Sequence, residues 1–206
     1  LIYKVFGDGT RLMNHWKMGD KIDLIGPLGN GWDCSELSQG DIPVLIGGGV
    51  GIAPIMSLCQ YFEDNDKHGL VIMGARSANE HFLSHCLEEG SVLSTDDGSL
   101  GVKGNVINAL EYAMDKIDSL DFNNMKIFCC GPPMMMESIK SYAESNKIDC
   151  QVALETIMAC GFGICQGCTV EYNEENKEEH SYRNKFGLVC IDGPVFDTKE
   201  IKTCKL

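Results

Sequence analysis

The sequence predicts an α/β fold, in which a nucleotide-binding domain with a parallel sheet is preceded by a short β-rich segment and followed by a small cysteine-rich domain. Three observations support this prediction. Between residues 41 and 154, short apolar runs alternate with longer amphipathic stretches, as in a parallel sheet covered by helices. The first run leads into a glycine-rich loop at 47–51, and four cysteines are grouped beyond residue 155.

Residues 1–40 hold two short β-like stretches, at 3–6 and 21–25, separated by glycine-bearing turns and a polar loop. Two strands are too few to form a stable sheet by themselves. The chain does not begin with Met, and it has neither a run of about 18 apolar residues nor the pattern of a secretory signal. We therefore expect part of a longer, cytosolic protein.

The segment 41–154 is expected to contain five strands and four amphipathic helices. The strands are predicted at 42–46, 70–73, 91–94, 126–129 and 151–154, and the helices near 52–65, 79–89, 104–118 and 134–146. After residue 155 the chain becomes rich in Gly and Cys and then strongly acidic, so the predicted domains are 1–40, 41–154 and 155–206.

The loop Gly47-Gly48-Gly49-Val50-Gly51 follows the first predicted strand and precedes a helix with Pro54 in its first turn. In that position, backbone amides and a helix N-terminus can receive a phosphate. The pattern Gly-x-Gly-x-x-Gly fits from Gly49 only if Pro54 replaces the last glycine. The loop alone therefore leaves a plain strand-to-helix turn as an equal alternative.

A second loop, Cys130-Gly131-Pro132, ends the fourth predicted strand at the same edge of the sheet, where ligands of open α/β folds bind. The residues expected to contact a dinucleotide are Gly47, Gly48, Gly49, Gly51, Cys130, Gly131 and Pro132. Cys130 is expected near the nicotinamide and Cys129 in the core. Arg76 and Ser77 follow the second strand and could contact a 2′-phosphate, which leaves NADP open beside NAD.

The chain has 11 cysteines, an odd number that argues against a fully paired disulfide framework. Cys160-x4-Cys165-x2-Cys168, followed by Cys190, has the spacing of a plant-type [2Fe-2S] site. The glycines of this loop allow backbone amides to approach the sulfurs. A structural zinc site with four cysteines is the alternative, but zinc sites usually pair two short knuckles and only one short pair is present here.

Three other features of the sequence bear on function. A formal net charge of −13 argues against nucleic acid or an anionic membrane surface as a main partner. His81 and His85 lie four residues apart on a predicted helix, but without an evident third metal ligand a surface or capping role is favoured. The run 134–136 of three Met residues is expected to open a helix and pack in the core.

Taken in order along the chain, these motifs resemble those of dihydroorotate dehydrogenase electron-transfer subunits of type B. The motifs that carry the resemblance are Gly7-Asp8-Gly9-Thr10, Gly26-Pro27-Leu28-Gly29-Asn30-Gly31, the two nucleotide loops, Thr95-Asp96-Asp97-Gly98-Ser99, the cysteine loop and Cys190-Ile191-Asp192-Gly193-Pro194-Val195-Phe196. The resemblance covers nearly the whole chain.

The resemblance implies a ferredoxin-reductase-like chain with part of an FAD-binding β-barrel at 1–40, an NAD domain and a [2Fe-2S] domain. It implies that Gly9 and Thr10 contact the FAD phosphates. It also implies electron transfer from dihydroorotate to the FMN of a separate catalytic subunit, and then through the cluster and FAD to NAD⁺. The two subunits are expected to form a heterotetramer.

Two departures from the family pattern qualify this expectation. The first half of the barrel, with its Arg-x-Tyr-Ser-type motif, is absent, so the chain is expected to bind FAD poorly. The separation of Cys168 from Cys190 is long, and the acidic stretch 174–179 is interpreted as an insertion in a surface loop. Two alternative functions remain. One is a related reductase subunit of a hydrogenase or an NADH-ferredoxin:NADP⁺ complex, and the other is a non-catalytic ferredoxin-like carrier.

Overall fold

The computed structural model of the chain describes residues 3–35, 37–81, 91–173 and 182–206. Its helices are α1 (Asp8–Met13), α2 (Ile52–Asp64), α3 (Val106–Lys116), α4 (Pro133–Asn146) and α5 (Tyr182–Lys185). Its strands are β1 (Ile42–Gly48), β2 (Leu70–Ala75), β3 (Val92–Thr95), β4 (Val102–Lys103), β5 (Met125–Cys130), β6 (Asp149–Ala153), β7 (Thr169–Glu171), β8 (Phe186–Leu188) and β9 (Val195–Asp197).

Seven strands form one sheet in the order β4-β3-β2-β1-β5-β6-β9. All neighbours are parallel except β6 and β9, which are antiparallel. The five predicted strands are thus confirmed, with shifts of one or two residues at their ends. The order reverses at β1, and at such a point the loops leaving neighbouring strands open a crevice for a ligand.

Apolar side chains fill both faces of the sheet. On one face Ile46 and Ile72 pack with α3 and α4, and on the other Leu45 packs with Ile55 and Phe62 of α2. Parallel strands that are buried on both faces are expected to be apolar throughout, as β1 is before its glycines. The predicted helices at 52–65, 104–118 and 134–146 are confirmed, whereas most of the helix predicted at 79–89 lies outside the described residues.

Before Ile42, the described residues contain α1 and no strand. The two strands predicted at 3–6 and 21–25 are therefore wrong for this chain. A strand needs a partner for its amides, and no described strand pairs with either stretch. Their apolar side chains remain exposed as a result, with Phe6 at 86% and Leu24 at 79% exposure.

The cysteine-rich segment is packed onto the α/β sheet. β7 and β8 form an antiparallel pair, and β9, which the sequence did not predict, completes the large sheet beside β6. Cys168, Val170 and Phe196 belong to the same buried cluster as the core of the sheet. Near the C-terminus, the Cys204 amide and the Thr203 hydroxyl donate to one carboxylate oxygen of Glu137 on α4, at 2.7 and 2.9 Å.

The described helices are all too short or too polar to cross a membrane. The acidic stretch at 174–179 lies outside the described residues, so its interpretation as a surface insertion stays a prediction.

Candidate functional site

The two glycine-bearing loops meet at the carboxyl edge of the sheet, as predicted. β1 ends at Gly48, a 3₁₀ turn follows at Gly49–Gly51, and α2 begins at Ile52. A side chain at Gly51 would overlap the backbone carbonyl of Cys130, and a Cβ at Gly48 would lie 2.5 Å from the sulfur of Met135. Glycine is therefore required at these two positions for close packing of the loops.

In front of these loops lies a cavity of about 530 Å³, a size that suits part of a dinucleotide. Of the predicted residues, Gly48, Gly49 and Pro132 line it. Gly47, Gly51, Cys130 and Gly131 do not line it but form the packed contact behind it. Their direct contact with a nucleotide stays a prediction.

The Cys130 thiol is buried, and burial together with the nearby carboxylate of Glu155 raises its pKa to about 12. A thiol with that pKa is protonated near neutral pH and is a weak nucleophile. Cys129 is fully buried in the core, as predicted. Among the three methionines at 134–136, Met136 is buried as expected, but Met134 is exposed and lines the cavity, because it lies on the first turn of α4 outside the core face.

Several lining residues were not predicted, namely Lys4, Gly74, Glu80, Asp96, Asn105 and Met134. Asn105 caps α3, where its side-chain oxygen accepts from the amides of Ile107 and Asn108 at 2.9 and 3.2 Å. The sequence signal for this residue is Asn immediately before an amphipathic run. The buried Ser94 hydroxyl, on the strand next to Gly74, has no hydrogen-bond partner among the described residues. It lies 3.5 Å from the position that a Cβ on Gly74 would occupy.

Arg76 lines the cavity, whereas its predicted companion Ser77 does not. The guanidinium donates to both carboxylate oxygens of Glu80, at 2.6 and 3.1 Å. This hydrogen bonding raises the pKa of Arg76 and lowers the pKa of Glu80. Both groups are therefore charged over the physiological range.

The histidine pair is only partly described. His81 is buried, and its Nε2 lies 3.0 Å from the carbonyl oxygen of Ser94. Of the predicted surface or capping role, the surface position is wrong, whereas His81 does stand at the C-cap of the 3₁₀ turn at Ala78–Glu80, where its amide donates to the carbonyl of Ala78 at 3.3 Å. His85 lies outside the described residues.

The cysteine loop has no regular secondary structure between β6 and β7. Its turns use Gly161, Gly163 and Gln166 at positive φ. A side chain at Gly163 would overlap Ile191, which follows Cys190, so this glycine lets the loop approach the segment that carries the fourth cysteine.

The four cysteines form two pairs. The sulfurs of Cys168 and Cys190 are buried and 3.3 Å apart. Two thiolates at about 2.3 Å from one tetrahedral metal ion are roughly 3.8 Å apart, so this pair needs only a small adjustment to share an ion. At the exposed end of the loop, the amide of Cys165 donates to the sulfur of Cys160 and the amide of Gly167 donates to the sulfur of Cys165, each at 3.4 Å.

The amides of Cys165 and then Phe162 lower the pKa of Cys160 to about 6, since they stabilise its thiolate. Burial and then the neighbouring Cys168 raise the pKa of Cys190. In the described part of the chain, no group of three or more Cys, His, Asp or Glu side chains is close enough to hold a single ion. A cluster of two irons, in which each iron takes two protein sulfurs, fits this arrangement, with Cys168 beside Cys190 and Cys160 beside Cys165.

The residues that the resemblance assigned to FAD lie in α1. The Thr10 side-chain oxygen accepts from the amides of Phe6 and Gly7, at 2.8 and 3.1 Å, and Gly9 faces open space. The described residues before Ile42 therefore form no walled flavin site by themselves, and the assigned contacts stay a prediction. The cysteine loop and the cavity, by contrast, fit a [2Fe-2S] cluster and a dinucleotide.

Two known protein families match parts of this chain. Residues 155–202 match the family described as the iron-sulfur cluster binding domain of dihydroorotate dehydrogenase B, and residues 45–141 match the oxidoreductase NAD-binding domain. A solved structure from a study of flavin-based electron bifurcation by an NADH-dependent reduced ferredoxin-NADP oxidoreductase has 28% sequence identity and a TM-score of 0.73. The match covers 99% of this chain and 68% of that one.

Curated relatives are similar over nearly the whole chain. The dihydroorotate dehydrogenase B (NAD(+)) electron transfer subunit of Streptococcus mutans is 31% identical over 203 residues, which are 98% of this chain and 73% of the relative. The subunit of the same name from Listeria monocytogenes is 34% identical over 204 residues, with 98% and 74% covered. These matches support [2Fe-2S], FAD and NAD as cofactors and an oxidoreductase role. With this identity and coverage, the chain belongs to the family of electron transfer subunits of NAD(+)-linked dihydroorotate dehydrogenase B.

Proposed function

We propose that this chain transfers electrons between a [2Fe-2S] cluster and NAD as the electron-transfer subunit of a dihydroorotate dehydrogenase. The observation that carries this proposal is that one chain holds two thiol pairs and a dinucleotide-sized cavity on the same sheet scaffold. The proposed cluster ligands are Cys160, Cys165, Cys168 and Cys190.

The two thiol pairs would have different tasks. Cys168 and Cys190 are buried against the core, so they fix the inner side of the cluster. Cys160 and Cys165 lie at the surface end of the loop, where amides already donate to their sulfurs. Hydrogen bonds of this kind favour the thiolate form and adjust the reduction potential.

For NAD, the pyrophosphate would lie at Gly48 and Gly49, in front of the N-terminus of α2. Amides at this position are not used by an earlier turn of helix and can donate to a phosphate. Because the packed contact of Gly51 with the Cys130 carbonyl fixes the two loops relative to each other, the binding surface is formed before the nucleotide arrives.

A nicotinamide cofactor exchanges two electrons as hydride and an iron–sulfur cluster exchanges one, so a flavin, which handles both, couples them when it is bound. In this scheme the chain's own residues bind and orient the cofactors and are not acids or bases for the substrate. The high pKa of Cys130 agrees with that assignment, since its thiol keeps its proton near neutral pH.

The proposed partner is a catalytic subunit that contains FMN and oxidises dihydroorotate, in a heterotetramer. Apolar side chains beside the cluster loop support a protein partner there, since Ile164 is 76% exposed and Phe162 and Ile191 are also exposed. We also propose a cytoplasmic location, because the ten described cysteines form no disulfide with one another, as expected in a reducing compartment.

The test is to purify the chain together with candidate catalytic subunits and to measure NAD⁺ reduction that depends on dihydroorotate. Reduction should require both subunits and should be lost when Cys168 is replaced by Ser. A complex that reduces NAD⁺ equally well with that variant would contradict the proposed electron path.

A second candidate is the corresponding subunit of an NADH-ferredoxin:NADP⁺ complex, which the structural match with 28% identity favours. The same preparation separates the two functions. Reduction of NAD⁺ with ferredoxin as the electron donor, and none with dihydroorotate, would favour this second candidate.

A further inference from the structure

Four charged side chains line one end of the nucleotide cavity: Lys4, Arg76, Glu80 and Asp96. Two are cations and two are carboxylates, so the charges at this end balance. Arg76 follows the end of β2 and Asp96 follows the end of β3. These strand ends lie on the side of the sheet where an α/β dinucleotide site receives the adenosine ribose.

The local backbone fixes the partner of Arg76. The 3₁₀ turn at Ala78–Glu80 is closed by the Glu80 amide, which donates to the carbonyl of Ser77 at 3.0 Å. The turn brings the carboxylate of Glu80 to the guanidinium four residues earlier, where it accepts from Nε and Nη2. The Glu80 side chain is 35% exposed and that of Arg76 is 78% exposed, so the carboxylate is the more buried of the two.

An unpaired arginine after this strand is a common receptor for the 2′-phosphate of NADP, because its planar fork binds phosphate through two N–H groups. In this chain the fork is already used by Glu80. A 2′-phosphate that took the same two N–H groups would have to displace that carboxylate, and one bound to the remaining N–H groups would lie beside it and Asp96, where like charges at short range are unfavourable. A ribose 2′-hydroxyl has no charge and meets no such penalty.

We infer that Glu80 is a specificity-determining residue, which favours NAD over NADP by holding the guanidinium of Arg76. The inference rests on the proposed NAD site. It assigns to one carboxylate the discrimination between two cofactors that differ only in the 2′-phosphate.

The test compares the binding of NADH and NADPH by the purified full chain, measured by calorimetric titration, in the parent and in Glu80→Gln. The variant keeps the length and hydrogen-bonding capacity of the side chain but removes its charge. NADPH affinity should increase about three- to tenfold, as expected when an exposed ion pair is removed beside a phosphate, while NADH affinity changes less than about twofold. Adenosine 2′,5′-bisphosphate and AMP, titrated in the same way, should reproduce the difference and so locate it at the 2′-phosphate.

Two further variants serve as controls. Glu111→Gln on α3 removes one exposed carboxylate away from the cavity and should leave the affinity for both cofactors unchanged. The double variant Arg76→Gln with Glu80→Gln should lose the gain in NADPH affinity, since the released fork would be missing. A gain that persists in the double variant would assign phosphate binding to another cation, such as Lys4, and would overturn the inference.

Failure of the inference and failure of the proposed function give different results. If the parent binds NADH and Glu80→Gln binds NADPH no better than Glu111→Gln does, Glu80 does not determine specificity, although the NAD site stands. If the parent and all variants fail to bind NADH while circular dichroism shows them folded, the proposed NAD site itself is wrong.

Discussion

The two cofactor regions of this chain are built in opposite ways. At the nucleotide cavity, backbone atoms at the ends of β1 and β5 are packed so closely that Gly51 cannot carry a side chain. At the cysteine loop, side-chain sulfurs are the functional groups, and the backbone between β6 and β7 has no regular structure. The first region is formed by the fold, whereas we expect the second to need its cluster to complete its geometry. The two sites should therefore respond differently to loss of a ligand and to mutation.

The largest expected effect is in the region that depends on metal. Cys168→Ser should abolish the visible absorption and the bound iron, because Cys168 is buried 3.3 Å from Cys190 and a hydroxyl is a poor ligand for iron–sulfur chemistry. The affinity for NADH should change less than about twofold, since charge and packing at the separate cavity are unaltered. Iron, acid-labile sulfide and NADH titration measure the three quantities.

Cys34→Ser is the matched control, because Cys34 is a half-buried free thiol outside the cluster loop. Two irons and two sulfides per chain are expected in the parent and in this control. Stoichiometric zinc without iron in the parent would show that the site is a zinc site.

The proposed FAD region, in the described residues before Ile42, has neither the packed strand ends of the cavity nor the sulfur ligands of the cysteine loop. The described residues before Ile42 supply no strand, and their apolar side chains are exposed. A version of the chain extended at its N-terminus by residues that complete a flavin-binding barrel should bind FAD about 10²-fold more tightly, since two charge-assisted contacts would be added. Flavin released from both versions and measured by fluorescence tests this, and equal, near-stoichiometric FAD in both would contradict it.

Mutation of the preformed region should have a smaller effect that is confined to the nucleotide. Gly51→Val would force the loops after β1 and β5 apart, because its Cβ would overlap the Cys130 carbonyl. We expect NADH binding to weaken about tenfold or more, with a loss of about 1–3 kcal/mol in stability from overpacking and an unchanged cluster spectrum. Gly40→Val is the control, because a Cβ added at Gly40 would meet no atom within 4 Å. Coincident NADH titrations of Gly51→Val and the parent would show that the phosphates bind elsewhere.

The smallest effect, on stability alone, is expected for the contact between α4 and the C-terminal residues. Glu137→Ala removes the acceptor for the Cys204 amide and the Thr203 hydroxyl, so the C-terminal residues lose their attachment to α4. The free energy of unfolding should fall by about 1–2 kcal/mol, the usual value for two hydrogen bonds to a partly buried carboxylate. Chemical denaturation measures it, with Glu111→Ala as an exposed control. Unchanged stability would mean that this contact does not hold the C-terminus.

Local patterns were sufficient for the regular part of the fold and insufficient where distant segments meet. The apolar runs predicted the parallel strands, because strands buried on both faces are apolar throughout. β9 was missed, since Val195, Phe196 and Asp197 form too short a run to show a period, and its pairing with β6 is decided by packing across the sequence. The pairing of Arg76 with Glu80 could not be predicted, because a spacing of four residues brings opposite charges together on an α-helix, whereas Arg76 lies between β2 and the 3₁₀ turn at Ala78–Glu80.

At the candidate sites, too, local sequence patterns were informative and contacts between distant segments could not be predicted. The spacing of the cysteines predicts four cluster ligands, and their assignment stays a prediction. The spacing does not show that Cys168 and Cys190 form a buried pair, which depends on how β7 and β8 pack. The glycines were assigned to phosphate contact, whereas Gly51 and Gly131 are also required by the contact between two loops. Glycine suits both phosphate contact and close packing of loops, so the sequence could not show which of the two a given glycine serves.

The position of β9 has a consequence for how the protein is made. β6 gains its outer neighbour only after the chain between Ala153 and Val195, including the whole cysteine loop, has been synthesised. Until then the open side of β6 can pair with other chains, and closing so long a loop is slow compared with forming the earlier βαβ units. The interval between translation of β6 and arrival of β9 is therefore the stage at which a nascent chain is most exposed to misassembly, and it coincides with the period when the thiols are still without iron.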